Sequence, residues 1–569
     1  MLHVRPSFGL TWAQVSPLWR TNLGHHYLHS SIGFKLTRYR LVDVLGQTSE
    51  LVYIEWHRVT DSVGSMSKTP GNSQPNPANR VAFAAGSGAA AAAVAPSPAN
   101  QLRRSFRVKD GVALIVCNVV GVGIFTTPSI IAKNVPEPGV MLALWAVGGC
   151  LALAGALSYA QLGRMWPAAG GEYIYLSRAY GPTAGFLSGW TSLIAGFSGA
   201  VAASAVGLIA YLGRYYPAFG SERSLLSINF YVGAFTVSPR ALAAAFVIVA
   251  FAVLHACNIR AGRLTQNALA LLIIFIIGAF CLSGFTLGTG SWSHFHSAAP
   301  AWHPTNWLLA LLPIMFSYSG WNAACYISEE MHDARRSIGA ALLAGTCLVV
   351  ALYLGLNALY LYAVPVGEIK NAVNVGDVAA RALFGVSGSA IAPVLSAFTI
   401  VALLGCISAM TIAGPRVYFA MSRDGAFVPG FERTSRRFGT PALAIGLQAF
   451  WSVLLVLTGS FEQILNYTGF TILLSSGAAA AGLFVARRRE LAANPKLWRS
   501  MVAPAIFVVA CAAIVVNTVW GAPKTALLGC GFIAAGLPVF YWSRQRRPRV
   551  APLPLNSETS QLLPRSMPD

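Results

Sequence analysis

The sequence predicts an all-α membrane protein with twelve transmembrane helices, and three observations predict it. Charged residues make up 10% of the 569 positions and hydrophobic ones 55%, whereas a soluble domain carries about 25% charge. Apolar runs are long: residues 111–132 hold no Asp, Glu, Lys or Arg and are bracketed by Lys109, Asp110 and Lys133. At about 1.5 Å per residue, such a helix crosses a hydrocarbon core about 30 Å thick. Lipid offers the backbone no hydrogen-bond partners, so runs of this length must be helical. Third, the basic residues crowd into every second connection, as the topology of a multi-span protein requires.

Along the chain, residues 1–102 differ from the rest. They show no sustained period, and 71–79 and 82–98 are rich in Pro, Asn, Ser, Ala and Gly, which reads as a disordered extension. The segment also lacks the basic start, apolar core and small-residue cleavage site of a signal peptide. Met66-Ser67-Lys68 looks like an ordinary start, so residues 1–65 are expected to be an over-extended gene prediction. The core, 103–489, holds spans one to ten at 110–132, 139–162, 183–213, 240–257, 265–288, 305–328, 338–363, 388–421, 441–458 and 462–486. Spans eleven and twelve fall at 502–520 and 524–542, within residues 490–549, and a tail of 550–569 follows.

Twelve spans put 23 Lys and Arg on one side, among them Arg103, Arg104, Arg107 and Lys109, Arg260 and Arg263, and Arg487 to Arg489. Seven fall on the other: Lys133, Arg214, Arg223, Arg240, Lys370, Arg381 and Lys524. The bias places both termini in the cytoplasm and supports the count, because one miscounted span would scramble it. It also accounts for a formal net charge of +21 without nucleic acid as a partner. The nine cysteines lie in or beside apolar runs with no CxxC pair, as free, small, buried hydrophobes would.

Two spans carry helix breakers near their middles. The first reads Gly121-Val122-Gly123-Ile124-Phe125-Thr126-Thr127-Pro128, and the sixth reads Pro313-Ile314-Met315-Phe316-Ser317-Tyr318-Ser319-Gly320-Trp321-Asn322. Glycine costs about 1 kcal/mol in a helix interior and proline about 3. A helix broken at membrane depth presents free N–H groups on one side of the break and free C=O groups on the other. The first suits a carboxylate and the second an ammonium, so the pair makes a socket for a zwitterion. Close helix packing at Gly121 and Gly123 is the plainer alternative, but breaks at corresponding positions of two five-helix halves favour the socket.

These residues resemble the amino acid–polyamine–organocation transporter superfamily, and within it the L-type amino acid transporter-like branch. The resemblance rests on Gly121 to Phe125, on Ser158-Tyr159-Ala160-Gln161-Leu162-Gly163 with Pro167-Ala168-Ala169-Gly170-Gly171-Glu172-Tyr173, on Phe316 to Asn322 with Glu329-Glu330, and on Ser422-Arg423-Asp424-Gly425. It implies a leucine-transporter-like fold of two inverted five-helix repeats plus two further helices. By resemblance, backbone N–H groups around Gly121, Val122, Gly123 and Ile124 hold the substrate carboxylate. Carbonyls of Val119, Phe316 and Ser319 hold its ammonium, Phe316 gates the site, and Trp321 and Asn322 lie near the substrate side chain. The chain departs from the family in having Val122 where serine is frequent. It has no lysine in Ala270-Leu271-Leu272-Ile273-Ile274, where many members carry one, and no cysteine between Arg214 and Arg240, where members that bond a glycoprotein subunit carry one. A disulfide-linked heavy subunit is therefore not expected.

The span middles are read as free of Asp, Glu, Lys and Arg, and an unpaired charge there is expensive. A neutral amino acid is thus favoured over a cationic amino acid or polyamine as substrate, with the lipid bilayer as the other partner. Glu329 and Glu330 are expected to pair with loop arginines across the inward gate, and His255 to cap span four. No HExxH or GxSxG occurs, so nothing supports an enzyme, a cofactor or a metal site. A membrane sensor would need a large output domain, and the disordered extension and short tail offer none. A multi-pass permease of the cytoplasmic membrane is the expected function.

Overall fold

The computed structural model describes residues 6–9, 32–42, 48–58 and 102–545, apart from 122, 231–232, 297–303, 371, 373, 460 and 522. The chain forms two compact units, residues 1–90 and 91–569. The first contains β1 (Pro6–Gly9), β2 (Ile32–Val42) and β3 (Thr48–Arg58) in one antiparallel sheet. Within this unit β2 and β3 form a hairpin. Its register sets Phe34 opposite Trp56 and Leu36 opposite Ile54, a period-two alternation that Lys, Arg and Glu within the strands obscure.

The second unit is helical. Its elements are α1 (Val108–Val119), α2 (Gly123–Asn134), α3 (Pro138–Met165), α4 (Glu172–Tyr180) and α5 (Pro182–Leu212, with a π turn at Ser192–Gly196). A small hairpin of β4 (Leu226–Phe230) and β5 (Gly233–Val237) follows, then α6 (Pro239–Cys257), α7 (Ile259–Leu287) and α8 (Pro304–Ser317). A 3-10 helix, Ala323–Glu330, leads to α9 (Ala334–Ala363), α10 (Val375–Phe384) and α11 (Val386–Arg423). Next come α12 (Ala442–Thr458), α13 (Phe461–Ala486), α14 (Trp498–Gly521), α15 (Pro523–Ala534) and α16 (Gly536–Gln545).

Among the described residues, nine helices are long and apolar enough to cross a membrane, and the pair α1–α2, bent by 47°, makes a tenth. The apolar stretch Trp307–Ser317 of α8 and all of α12 are shorter. The outer surface carries large apolar side chains, such as Leu271, Phe275 and Leu282 on α7 and Trp520 on α14. A soluble monomer does not expose such a continuous apolar face. On α7 the buried set Gln266, Ala270, Ile273, Ile277, Phe280 and Gly284 forms a single stripe, so the helix turns one side to protein and the other to lipid.

The cysteines only partly match the expectation of buried hydrophobes. All nine are free, but Cys150, Cys257, Cys347 and Cys530 are exposed on the outer face. Apolar surroundings in a membrane protein include lipid as well as core.

Candidate functional site

The two predicted breaks are real, and they abut. Helix α1 ends at Val119 and α2 begins at Gly123, while α8 ends at Ser317 and a turn over Tyr318–Asn322 leads into the 3-10 helix. A Cβ on Gly123 would lie 3.1 Å from Ser317 Oγ, and one on Gly320 would lie 2.9 Å from the Asn118 carbonyl oxygen. The interrupted segments therefore run past each other in opposite directions with backbone almost touching. Gly320 also has φ +107°, a conformation closed to most L-residues. Local breakers thus serve two ends here: they free backbone groups and they let the two segments close.

The first turn of α2 has no helical acceptor for the N–H groups of Gly123 and Ile124. This is the donor set assigned to a carboxylate. Val122 lies outside the described residues. On the carbonyl side, Val119 accepts a 2.8 Å hydrogen bond from the Tyr353 hydroxyl, which also approaches the Ser317 carbonyl at 3.2 Å. The Phe316 carbonyl accepts from the Ser319 N–H at 3.0 Å. Two of the three carbonyls assigned to the ammonium are thus already engaged, each keeping one lone pair. Tyr353, on α9, is fully buried and clasps both broken spans, while Thr127 donates to Ser317 Oγ at 2.7 Å. Tyr353→Phe deletes a donor shared by the two breaks. It is expected to raise the half-saturating substrate concentration about five- to tenfold, the equivalent of one hydrogen bond, as read from initial uptake rates.

A cavity of about 20 Å³ is lined by Met315, Phe316, Ser319, Trp321 and Asn322 with Gly469, Ser476 and Phe507. That is room for about one water. The cavity gathers four predicted residues, whereas Gly121 and Gly123 do not line it. Phe316 is 36% exposed and packs over Gly469 of α13. The Trp321 ring is wedged edge-on between Tyr159 and Phe507, with centroids 4.8 and 5.6 Å away.

Beneath the cavity lies a carboxyl group from the connection between spans two and three. Glu172 opens α4, in the connection between spans two and three, and is 6% exposed. Its Oε1 accepts from Tyr159 Oη at 2.7 Å, Asn322 Nδ2 at 2.8 Å and Ser476 Oγ at 2.9 Å. Gly171, at φ +51°, makes the placement possible, because a Cβ there would lie 2.7 Å from the Tyr326 ring. Burial raises the Glu172 carboxyl above its ordinary range, and the hydrogen bonds from Tyr159, Ser476 and Asn322 oppose the rise.

Toward the basic end of the bundle, Glu329 and Glu330 pair with arginines as expected, but the partner of Glu330 comes from within a span rather than from a loop. Glu329 bonds Arg423 Nη1 at 2.8 Å and accepts the Ala169 N–H. Glu330, fully buried, is held at both oxygens by Arg416 Nε and Nη2, at 2.7 and 3.1 Å. Arg416 lies inside span eight near its basic end, so a charge stands within the span although not at its middle. A single arginine amid thirty-odd apolar and small residues does not interrupt a hydropathy run. His255 does not cap its helix either: it is 5% exposed, and its Nε2 meets Ser408 Oγ of α11 at 2.9 Å. A larger cavity, about 420 Å³, lies among Arg103, Arg104, Arg107, Lys109, Arg260 and Arg263, where the basic connections converge. Among the described residues no group of three His, Cys, Asp or Glu could hold a metal.

Residues 107–542 match the amino acid permease family. Over 453 residues the chain is 28% identical to the human b(0,+)-type amino acid transporter 1, covering 78% of this chain and 88% of that protein. It is 27% identical to the serine/threonine exchanger SteT of Bacillus subtilis, covering 79% and 98%. It is 26% identical to the mouse large neutral amino acids transporter small subunit 2, covering 79% and 83%. The chain belongs to the amino acid permease family, in the L-type branch of the amino acid–polyamine–organocation superfamily.

Proposed function

We propose that this permease carries neutral amino acids by alternating access around the two abutting breaks, with twelve spans in a five-plus-five inverted repeat and both termini in the cytoplasm. The carrying observation is the antiparallel approach of Gly123 to Ser317 and of Gly320 to Asn118, which sets free N–H and C=O ends side by side at one depth. Counting α1–α2 as span one, α8 with its 3-10 continuation as span six and α12 as span nine completes twelve. Spans two and seven, three and eight, and four and nine pack directly on each other, and the members of each pair differ by five, as equivalent helices of a five-plus-five repeat do. The basic connections supply the orientation. The family's glycoprotein partner has no cysteine to bond between Arg214 and Arg240.

The names of the relatives support the substrate class: SteT is a serine/threonine exchanger and another relative a large neutral amino acids transporter subunit. Glu172 favours a second reading, in which a cationic side chain displaces Asn322 and meets the carboxylate. Its three neutral donors already saturate Oε1, so the neutral substrate stands first. Purified protein in proteoliposomes preloaded with unlabelled serine, leucine or arginine decides between them. Counterflow of labelled serine or leucine, but not arginine, is expected. Arginine alone would establish the second reading, and binding without counterflow would make the protein a sensor.

A further inference from the structure

We propose that the basic cavity at the start of the core is a binding site for a phosphate-bearing anion, and that an anion held there restrains the inward opening. The binding stands apart from the transport reading above, whereas the restraint rests on it. At about 420 Å³, the cavity has the size of a small-ligand site. Its walls hold six cations, Arg103, Arg104, Arg107, Lys109, Arg260 and Arg263, against one carboxylate, Asp110. That carboxylate is already engaged. It is 2% exposed, accepts from Asn267 Nδ2 at 2.6 Å and from the Arg107 N–H at 2.7 Å, and lies 3.9 Å from Arg263 Nε. Among the described residues, none of Arg103, Arg104, Lys109 and Arg260 has an ion-pair partner.

Topology explains why basic residues lie on this side, but not why they surround a hollow. They come from two distant stretches, 103–109 and 260–263, and like charges gathered in this way repel unless an anion sits between them. The first turns of α1 and α7 border the cavity through Lys109, Asp110, Ile259 and Arg260, and a helix start favours negative charge. Guanidinium groups suit phosphate because they offer its oxygens paired N–H donors. A lipid headgroup is one source of such an anion. Leu264, next to Arg263, is 65% exposed on the same face of α7 as Leu271 and Phe275, so acyl chains find apolar surface beside the basic wall. Basic pockets at the cytoplasmic ends of membrane helices take headgroups of this kind. A soluble phosphate compound is the other source.

The restraint follows from what the cavity wall is fastened to. The N–H groups of Ser105 and Phe106 donate to the Glu330 carbonyl at 2.8 and 3.0 Å, and the His332 N–H donates to the Phe106 carbonyl at 2.9 Å. Arg263 Nη1 bonds the Ser105 carbonyl. Residues 103–107 are thus strapped to the end of the 3-10 helix, beside the Glu330–Arg416 pair, and to α7. An anion shared by Arg104 and Arg260 adds a further tie between the strap and α7.

Native mass spectrometry of the detergent-purified full chain, titrated with phosphatidylglycerol, phosphatidylcholine or pyrophosphate, reads the binding. Phosphatidylglycerol is expected to bind and zwitterionic phosphatidylcholine is not. Each cation removed is expected to weaken binding about fivefold, so Arg104→Gln combined with Arg260→Gln weakens it about twenty-fivefold. Arg488→Gln combined with Arg489→Gln removes the same charge from exposed residues outside the cavity and is expected to leave binding unchanged. Pyrophosphate bound as tightly as phosphatidylglycerol assigns the site to a soluble anion; phosphatidylglycerol alone assigns it to lipid. If neither anion binds better than phosphatidylcholine, the proposal is overturned. Equal weakening by the two double variants also overturns it, because the cavity is then no more than surface charge. In proteoliposomes, serine counterflow by the wild type is expected to run about fivefold slower with the binding anion present than in phosphatidylcholine alone, and the Arg104/Arg260 double variant is expected to lose that difference. Equal wild-type rates overturn the restraint. Absence of counterflow under every condition overturns the transport reading, while the binding titration still decides the site.

Discussion

Arg416→Ala is expected to lower the melting temperature of the purified protein more than any other single truncation, and to abolish net transport. Removing the guanidinium leaves Glu330 with a buried, unanswered charge, a loss of about 3–5 kcal/mol for a pair of this kind. Glu330→Ala should cost a similar amount for the reciprocal reason. The double variant should be less damaged than the sum of the singles, because both charges then go together. Thermal denaturation in detergent, followed by tryptophan fluorescence, provides the cycle. Additive losses would mean that the two side chains act independently, despite the bidentate contact.

Gly123→Leu is expected to eliminate substrate binding while leaving expression and membrane insertion intact. The reason differs from the one that composition suggests. A leucine there would fill the space above the first turn of α2, but it would first collide with Ser317, whose Oγ lies 3.1 Å from the added Cβ. The clash pushes the two breaks apart and misplaces donors and acceptors together. Gly123→Ala asks Ser317 to yield only a few tenths of an ångström and should keep measurable affinity. Scintillation proximity binding of labelled substrate reads both. Wild-type affinity in the leucine variant would remove this junction from the binding site.

These expectations show which parts of the molecule a linear reading reaches. Helix breaks are local events, written in Gly121, Gly123, Pro313 and Gly320, so their positions could be read directly. Span eight could be located, yet Arg416 within it went unnoticed, since charge parity counts connections and one arginine leaves a long apolar run intact. Glu172 belongs to a loop motif in the sequence, but its surroundings come from Asn322, 150 positions away, and Ser476, 304 away. Tyr353 reaches Val119 across 234 positions. Such meetings are created by helix packing and leave no periodic trace. The hairpin of residues 32–58 escaped for another reason: charged residues interleave its apolar alternation, and composition alone reads them as an unstructured arm.

The eight-residue 3-10 segment between Asn322 and Met331 has a mechanical consequence. A 3-10 helix rises about 2.0 Å and turns about 120° per residue, against about 1.5 Å and 100° for an α-helix. Rewinding this segment would shorten it by about 4 Å and twist its far end by about 160° relative to its start. It is therefore a screw, with Asn322 and its hold on Glu172 at one end and Glu330 with its grip on Arg416 at the other. Its pitch couples axial travel to rotation, so neither contact can outlast a rewinding that begins at the other.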